Sequence, residues 1–174
     1  NIIKAFFYFL RNLRYNYLFF ILRKYSRGSV LDIGGWDFCL TVLKRNIPFE
    51  LWTVIEYDLD HLPKIDNPRV SVEHMDGCNM SYADEKFDTT VCIQVAEHVF
   101  TPLELFKENV RVLKKGGCGI FMVPQTSNLH GTPHHYQNFT RYWCFEICKL
   151  NNVEILEYKA LGGTWSSMAS RLIY

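Results

Sequence analysis

Ser29-Val-Leu-Asp-Ile-Gly-Gly-Trp-Asp37 is the stretch on which the fold turns. Val30, Leu31 and Ile33 flank one acid, Asp32, and two glycines, Gly34 and Gly35, end the apolar run. The pattern predicts a buried parallel strand followed by a tight turn into a helix. Turns of this kind lie at the carboxyl edge of a sheet, where open α/β folds bind their ligands.

Downstream the same rhythm repeats. A helix is expected from Asp37, placed to cap it, to about Arg45. Leu51 to Glu56 reads as a second buried strand ending in an acid, Val70 to His74 as a shorter edge-like third, and Phe87 to Gln94 as a fourth. Thr101-Pro102 opens a helix running to about Leu113, and Lys114, Lys115, Gly116 and Gly117 give it a basic end and a glycine stop. Cys118 to Val123 is a fifth strand, Thr140 to Leu150 a further helix, and Val153 to Tyr158 a sixth strand. Repeated strand-helix-strand crossovers predict an α/β, doubly wound, mainly parallel sheet. With 174 residues, 48% of them hydrophobic, the chain suffices for one well-buried core. The division expected is a basic aromatic helical segment, residues 1–27, followed by one α/β domain, residues 28–174.

Charge is unevenly distributed. Residues 1–27 hold Lys4, Arg11, Arg14, Arg23, Lys24 and Arg27 and no acid, so the net +1 of the whole leaves the body at −5. That body offers no nucleic-acid footprint. Within residues 2–25 the polar residues Lys4, Arg11, Asn12, Arg14 and Asn16 interrupt every apolar run well short of the ~20 residues of a membrane span. The segment is expected to pack an aromatic face on the domain, with peripheral membrane contact as the alternative. The six cysteines lack a Cys-x-x-Cys pair and fit a reducing, cytoplasmic setting. Neither Cys144 with Cys148 nor the loop histidines His130, His134 and His135 complete a ligand set, so no metal is assigned from sequence.

Five landmarks in order carry a resemblance: Val-Leu-Asp-Ile-Gly-Gly at 30–35, the acid ending the second strand, Met-Asp-Gly-Cys-Asn at 75–79, Phe-Asp-x5-Gln-Val-Ala-Glu-His-Val at 87–99, and Arg-Val-Leu-Lys-Lys-Gly-Gly at 111–117. Together they resemble the class I S-adenosylmethionine-dependent methyltransferases, the last two landmarks the type 11 subgroup. His130-Gly-Thr-Pro-His-His-Tyr-Gln-Asn-Phe-Thr140 and Gly162-Gly163 resemble members found among glycan-assembly enzymes. The resemblance implies a Rossmann-like sheet, S-adenosylmethionine as cofactor, and a small-molecule or saccharide-type methyl acceptor. It also implies cofactor contacts at Asp32, Gly34, Gly35, Glu56, Asp76, Gly77 and Gln94. Asp58 is the alternative to Glu56 for the ribose hydroxyls, and the N–H of Gly77 or Cys78 would sit beside the adenine. His98, His134, His135 and Tyr136 are the candidates for a base, should the acceptor arrive protonated.

The sequence departs from that family at three places. Trp36 and Phe38 replace the second and third glycines of the usual loop, and Asn138 stands where an Arg is usual. The family completes its sheet with a seventh, antiparallel strand between the fifth and sixth, whereas Gly162 to Tyr174 reads as a loop and short helix. The chain is therefore expected to lack the last strand and, since it opens on Asn1 rather than Met, to be truncated at both ends. The departures motivate a second reading, a non-catalytic methyltransferase-like binding or scaffold domain.

Overall fold

A computed structural model describes residues 15–161. The expectations for residues 2–14 and for Gly162 to Tyr174 lie outside the described residues. Residues 15–25 are helical (α1). They are followed by β1 (Ser29–Ile33), α2 (Phe38–Lys44), β2 (Leu51–Glu56), β3 (Val70–His74), β4 (Phe87–Ile93), α3 (Pro102–Val112), β5 (Leu113–Met122) and α4 (Arg141–Leu150). Short 3-10 turns at Leu59–His61 and Ala96–His98 follow β2 and β4.

All five strands are parallel, in the order β3-β2-β1-β4-β5. The chain winds from β1 outward to β3, then restarts at β4 on the other side of β1. This reversal leaves a crevice between the carboxyl ends of β1 and β4.

Side chains alternate across the sheet and feed two cores. On one face Val30, Trp52, Val54 and Val91 pack with Cys39 and Val42 of α2 and with Leu18, Phe19 and Leu22 of α1. On the other, Leu31, Ile33, Ile55 and Cys92 pack with Leu105 and Val112 of α3 and with Phe139. Burial on both faces accounts for the apolar residues of β1 and β4, and it also encloses Asp32, Thr89 and Thr90. Among the described residues no helix is long and apolar enough to cross a membrane.

Three sequence expectations are corrected. Helix α3 ends at Val112, and the next residue already pairs, Leu113 with Phe87. Pairing resumes at Cys118 with Thr89, so Lys114 to Gly117 bulge out of β5 rather than close the helix. Lys114 holds Asp88 at 2.8 Å there, and a Cβ on Gly117 would lie 2.8 Å from the Lys114 carbonyl. The second correction concerns Val153 to Tyr158, which form no strand. A strand needs a neighbour for its backbone groups, and among the described residues β5 pairs only with β4. Glu157 instead accepts hydrogen bonds from Tyr17, Lys24 and Tyr25, fastening this segment to α1. Thirdly, Asp37 precedes α2 without a side-chain cap bond, whereas Thr140 does cap α4, accepting from the Trp143 N–H at 3.3 Å.

Candidate functional site

The carboxyl edge gathers acids from three adjacent strands. Asp32, on β1, faces the α1/α2 core and is 1% exposed. Trp52 stands opposite Val30, so its indole reaches diagonally to Asp32 and donates Nε1–H to Oδ2 at 3.0 Å. Burial pushes the Asp32 carboxyl up to about 7, against the Trp52 hydrogen bond, and the charge of Glu56 adds to the rise.

Glu56 ends β2 and is half-buried, accepting the Tyr57 N–H at 3.0 Å. Asp58 has other duties. It accepts from the Asp60 N–H at 2.9 Å to cap the first 3-10 turn and lies 2.9 Å from Nδ1 of His61. Beyond β3, Asp76 accepts the Cys78 N–H at 2.8 Å. That Asx turn consumes the Cys78 N–H expected beside an adenine, leaving Gly77 as the candidate. Gly77 is itself pressed between Leu105 and Ile33, with 2.9 and 3.0 Å to a built Cβ.

The glycine loop is shaped by protein contacts. Gly34 has φ +61°, and a Cβ on it would lie 2.7 Å from Val95, so here β1 and β4 meet at the crevice. Left-handed backbone and the contact with Val95 each require a glycine here. A Cβ on Gly35 would lie 2.2 Å from the Asp32 carboxylate. The two bulky loop residues both find protein partners. Trp36, at φ +46° and 55% exposed, meets the His61 ring edge-on at 5.0 Å, and Phe38 stacks on Phe19 at 5.8 Å. β4 ends at Ile93, and Gln94 beyond it is exposed and left-handed (φ +57°), its N–H held by the Met122 carbonyl at 2.9 Å. Strained backbone of this kind concentrates at functional edges.

The loop after β5 is fastened back on itself. Asn138 accepts from the Ser127 hydroxyl at 2.7 Å and from its N–H at 3.1 Å, so the residue at the usual Arg position ties the loop closed. The Tyr136 N–H donates to the Glu97 carbonyl at 2.8 Å, which lays the loop on the turn after β4. His98, His130 and His135 are thereby gathered, with ring centroids 4.6 to 5.7 Å apart. Nδ1 of His135 accepts the His130 N–H at 3.2 Å, and its Nε2 lies 3.4 Å from the Ser127 hydroxyl. Partial burial and the neighbouring His130 and His98 lower the His135 pKa. Tyr136 places its hydroxyl 3.0 Å from Nδ1 of His134, away from that trio.

One residue in this cluster escaped the sequence reading. Glu97 is 0% exposed, and neither carboxylate oxygen has a hydrogen-bond partner among the described residues. Acids beside turns are usually solvated, so its position between Ala96 and His98 carries no signal of burial.

Residues 39–121 match a family described as a methyltransferase domain, type 11. The match begins beyond Trp36 and Phe38, where the loop departs from the family pattern. Comparison with curated proteins finds no match. Among solved structures, the [4+2]-cyclase SpnF is 21% identical, with a TM-score of 0.66 over 85% of this chain and 59% of its own. A SAM-dependent methyltransferase from Archaeoglobus fulgidus is 19% identical, with a TM-score of 0.60 over 82% of this chain and 66% of its own. The PH0226 protein from Pyrococcus horikoshii OT3, also 19% identical, gives 0.61 over 80% and 81%. The chain thus spans about two thirds or less of the length of the first two. At these identities the likeness establishes the fold, which is the Rossmann-like sheet of class I methyltransferases.

Proposed function

We propose that this domain transfers a methyl group from S-adenosylmethionine to a small-molecule or saccharide-type acceptor. The observation that carries the reading is the row of acids along one sheet edge, Asp32, Glu56 and Asp76 from β1, β2 and the loop after β3, beside the β1/β4 crevice. The methyltransferase-domain match over residues 39–121 supports it.

The donor set suits the cofactor. Asp32 offers a carboxylate that ionises near neutrality, and an ammonium or sulfonium nearby would favour its charged form. Glu56 keeps carboxylate capacity for two ribose hydroxyls, whereas Asp58 is engaged by Asp60 and His61. The Asp76–Gly77 turn would border the adenine, and Gln94 the amino-acid end, with Gly34 and Gly35 forming the loop between. S-adenosylmethionine would supply the electrophilic methyl, so the chain's task is alignment and exclusion of water. His98, His135 and Tyr136, on the loops after β4 and β5, are the groups we assign to take an acceptor proton. The six cysteines are unpaired, which supports a reducing, cytoplasmic setting.

Calorimetric titration with S-adenosylmethionine and S-adenosylhomocysteine tests the reading. Glu56→Ala is expected to weaken S-adenosylhomocysteine by about 1–3 kcal/mol, the worth of hydrogen bonds to a charged group, and Asp58→Ala to leave it unchanged. The reverse ranking would move the ribose contact to Asp58. A second reading, a binding or scaffold domain without catalysis, draws on Trp36 in the loop, and the absence of cofactor binding to folded protein would select it.

A further inference from the structure

We infer that Glu97, His98 and His130 form a binding site for a divalent transition-metal cation of the Zn2+ class. Glu97 supplies the first observation. Its side chain is fully buried, neither oxygen has a hydrogen-bond partner among the described residues, and an acid in that position is costly unless something compensates it. A proton would serve one oxygen only, and would itself become an unpaired donor.

The histidines supply the second observation, through their tautomers. Nδ1 of His98 faces the His134 carbonyl at 2.5 Å, and Nδ1 of His130 faces the Asn128 carbonyl at 2.8 Å. Carbonyl oxygens only accept, so both Nδ1 atoms carry a proton, and Nε2 is the nitrogen of each ring that presents a lone pair to a cation. An imidazole anchored through Nδ1–H to a backbone carbonyl is oriented as metal-ligating histidines are.

Distances complete the case. Nε2 of His98 lies 4.0 Å from Oε1 of Glu97, and one ligand atom from each of the three residues lies within 4.8 Å of the others. Tetrahedral zinc with bonds of about 2.0–2.1 Å spaces its ligands about 3.4 Å apart, so closure asks for roughly 1 Å of side-chain movement. His135 is excluded, since its Nδ1 already accepts the His130 N–H. Two imidazoles and one carboxylate favour a borderline cation over Mg2+ or Ca2+, which prefer oxygen throughout. Three protein ligands leave a fourth position open. With the cation bound, Nε2 of His98 is a ligand and no longer serves as a base for an acceptor proton.

The whole chain, stripped with a chelator, would be titrated with Co2+ by visible absorption and with Zn2+ by calorimetry. The expected result is one Co2+ per chain, with the intense visible bands of a tetrahedral site, displaced by one Zn2+. His130→Ala and Glu97→Gln should each weaken Zn2+ at least about 100-fold, beyond the 10–100-fold typical of losing an outer-shell partner. His74→Ala, at the end of β3, should change nothing. His130 is exposed, so its alanine variant spares the core, and metal-free Glu97→Gln should unfold no earlier than wild type because it removes a buried charge. Weak octahedral Co2+ spectra, or Zn2+ affinity untouched by both variants, would overturn the proposal. Cofactor titration in chelator is a separate measurement, so failure of this site leaves the methyl-transfer reading to be judged on its own.

Discussion

Gly35→Ala is expected to cost about 2–6 kcal/mol of folding stability, a large fraction of the total of a domain this size. The added Cβ would fall 2.2 Å from both Cγ and Oδ2 of Asp32. Asp32 cannot simply swing aside, because it is buried on a central strand and its Oδ2 holds the Trp52 indole. Moving it leaves the buried Trp52 indole N–H without its acceptor, at about 1–3 kcal/mol, and overpacking adds about 1–3 kcal/mol more. Gly116→Ala makes the control. That glycine has φ +73° and nothing within 4 Å of a built Cβ, so alanine there costs only the left-handed conformation, about 1–2 kcal/mol. Urea unfolding midpoints of the two variants check the ranking; equal losses would mean that Asp32 and Gly35 do not approach as described. Surviving Gly35→Ala protein should also bind S-adenosylhomocysteine poorly if, as proposed, Asp32 and Gly35 both border the cofactor.

The second large effect is a pH dependence carried by Asp32. Its folded pKa, about 7, stands above the unfolded value, so between about pH 4 and 7 the folded chain holds a proton that the unfolded chain releases. Stability from this group is therefore complete below pH 4 and is lost as pH rises through 7. About three pH units amount to roughly 4 kcal/mol. Asp32→Asn keeps an acceptor for the Trp52 indole and removes the titration. Wild type should therefore lose on the order of 4 kcal/mol relative to Asp32→Asn between pH 4 and pH 7.5, with most of the change complete by pH 7. The difference between the two proteins is the quantity to follow, because Asp88, Glu108 and Glu157, whose partners lower their pKa values, push stability the opposite way in both. A constant difference across that range would show that Asp32 is charged throughout.

These expectations rest on features of unequal legibility. The largely apolar run Val30 to Ile33 and its echoes at Leu51, Val70, Phe87 and Cys118 set the parallel sheet, because central strands covered on both faces are rich in apolar residues. The acids at the strand ends were legible for the same reason, since chain direction in a parallel sheet delivers every strand end to one edge. Local pattern failed at Val153 to Tyr158, whose alternation has no pairing partner among the described residues. It also failed at Lys114 to Gly117, where a helix stop and a strand bulge draw on the same residues.

The sequence by itself determined the winding of this protein, its strand boundaries to within a residue or two at β1 to β4, and the edge on which its polar groups collect, because all of these follow from periodicity along the chain. Only the tertiary structure decided that Asp32 turns inward to an indole, that Trp36 and Phe38 are occupied by His61 and Phe19, and that Glu97 lies buried beside two histidines with no hydrogen-bond partner among the described residues. Each of these depends on what a distant segment brings to the same place, and no spacing along the chain records it.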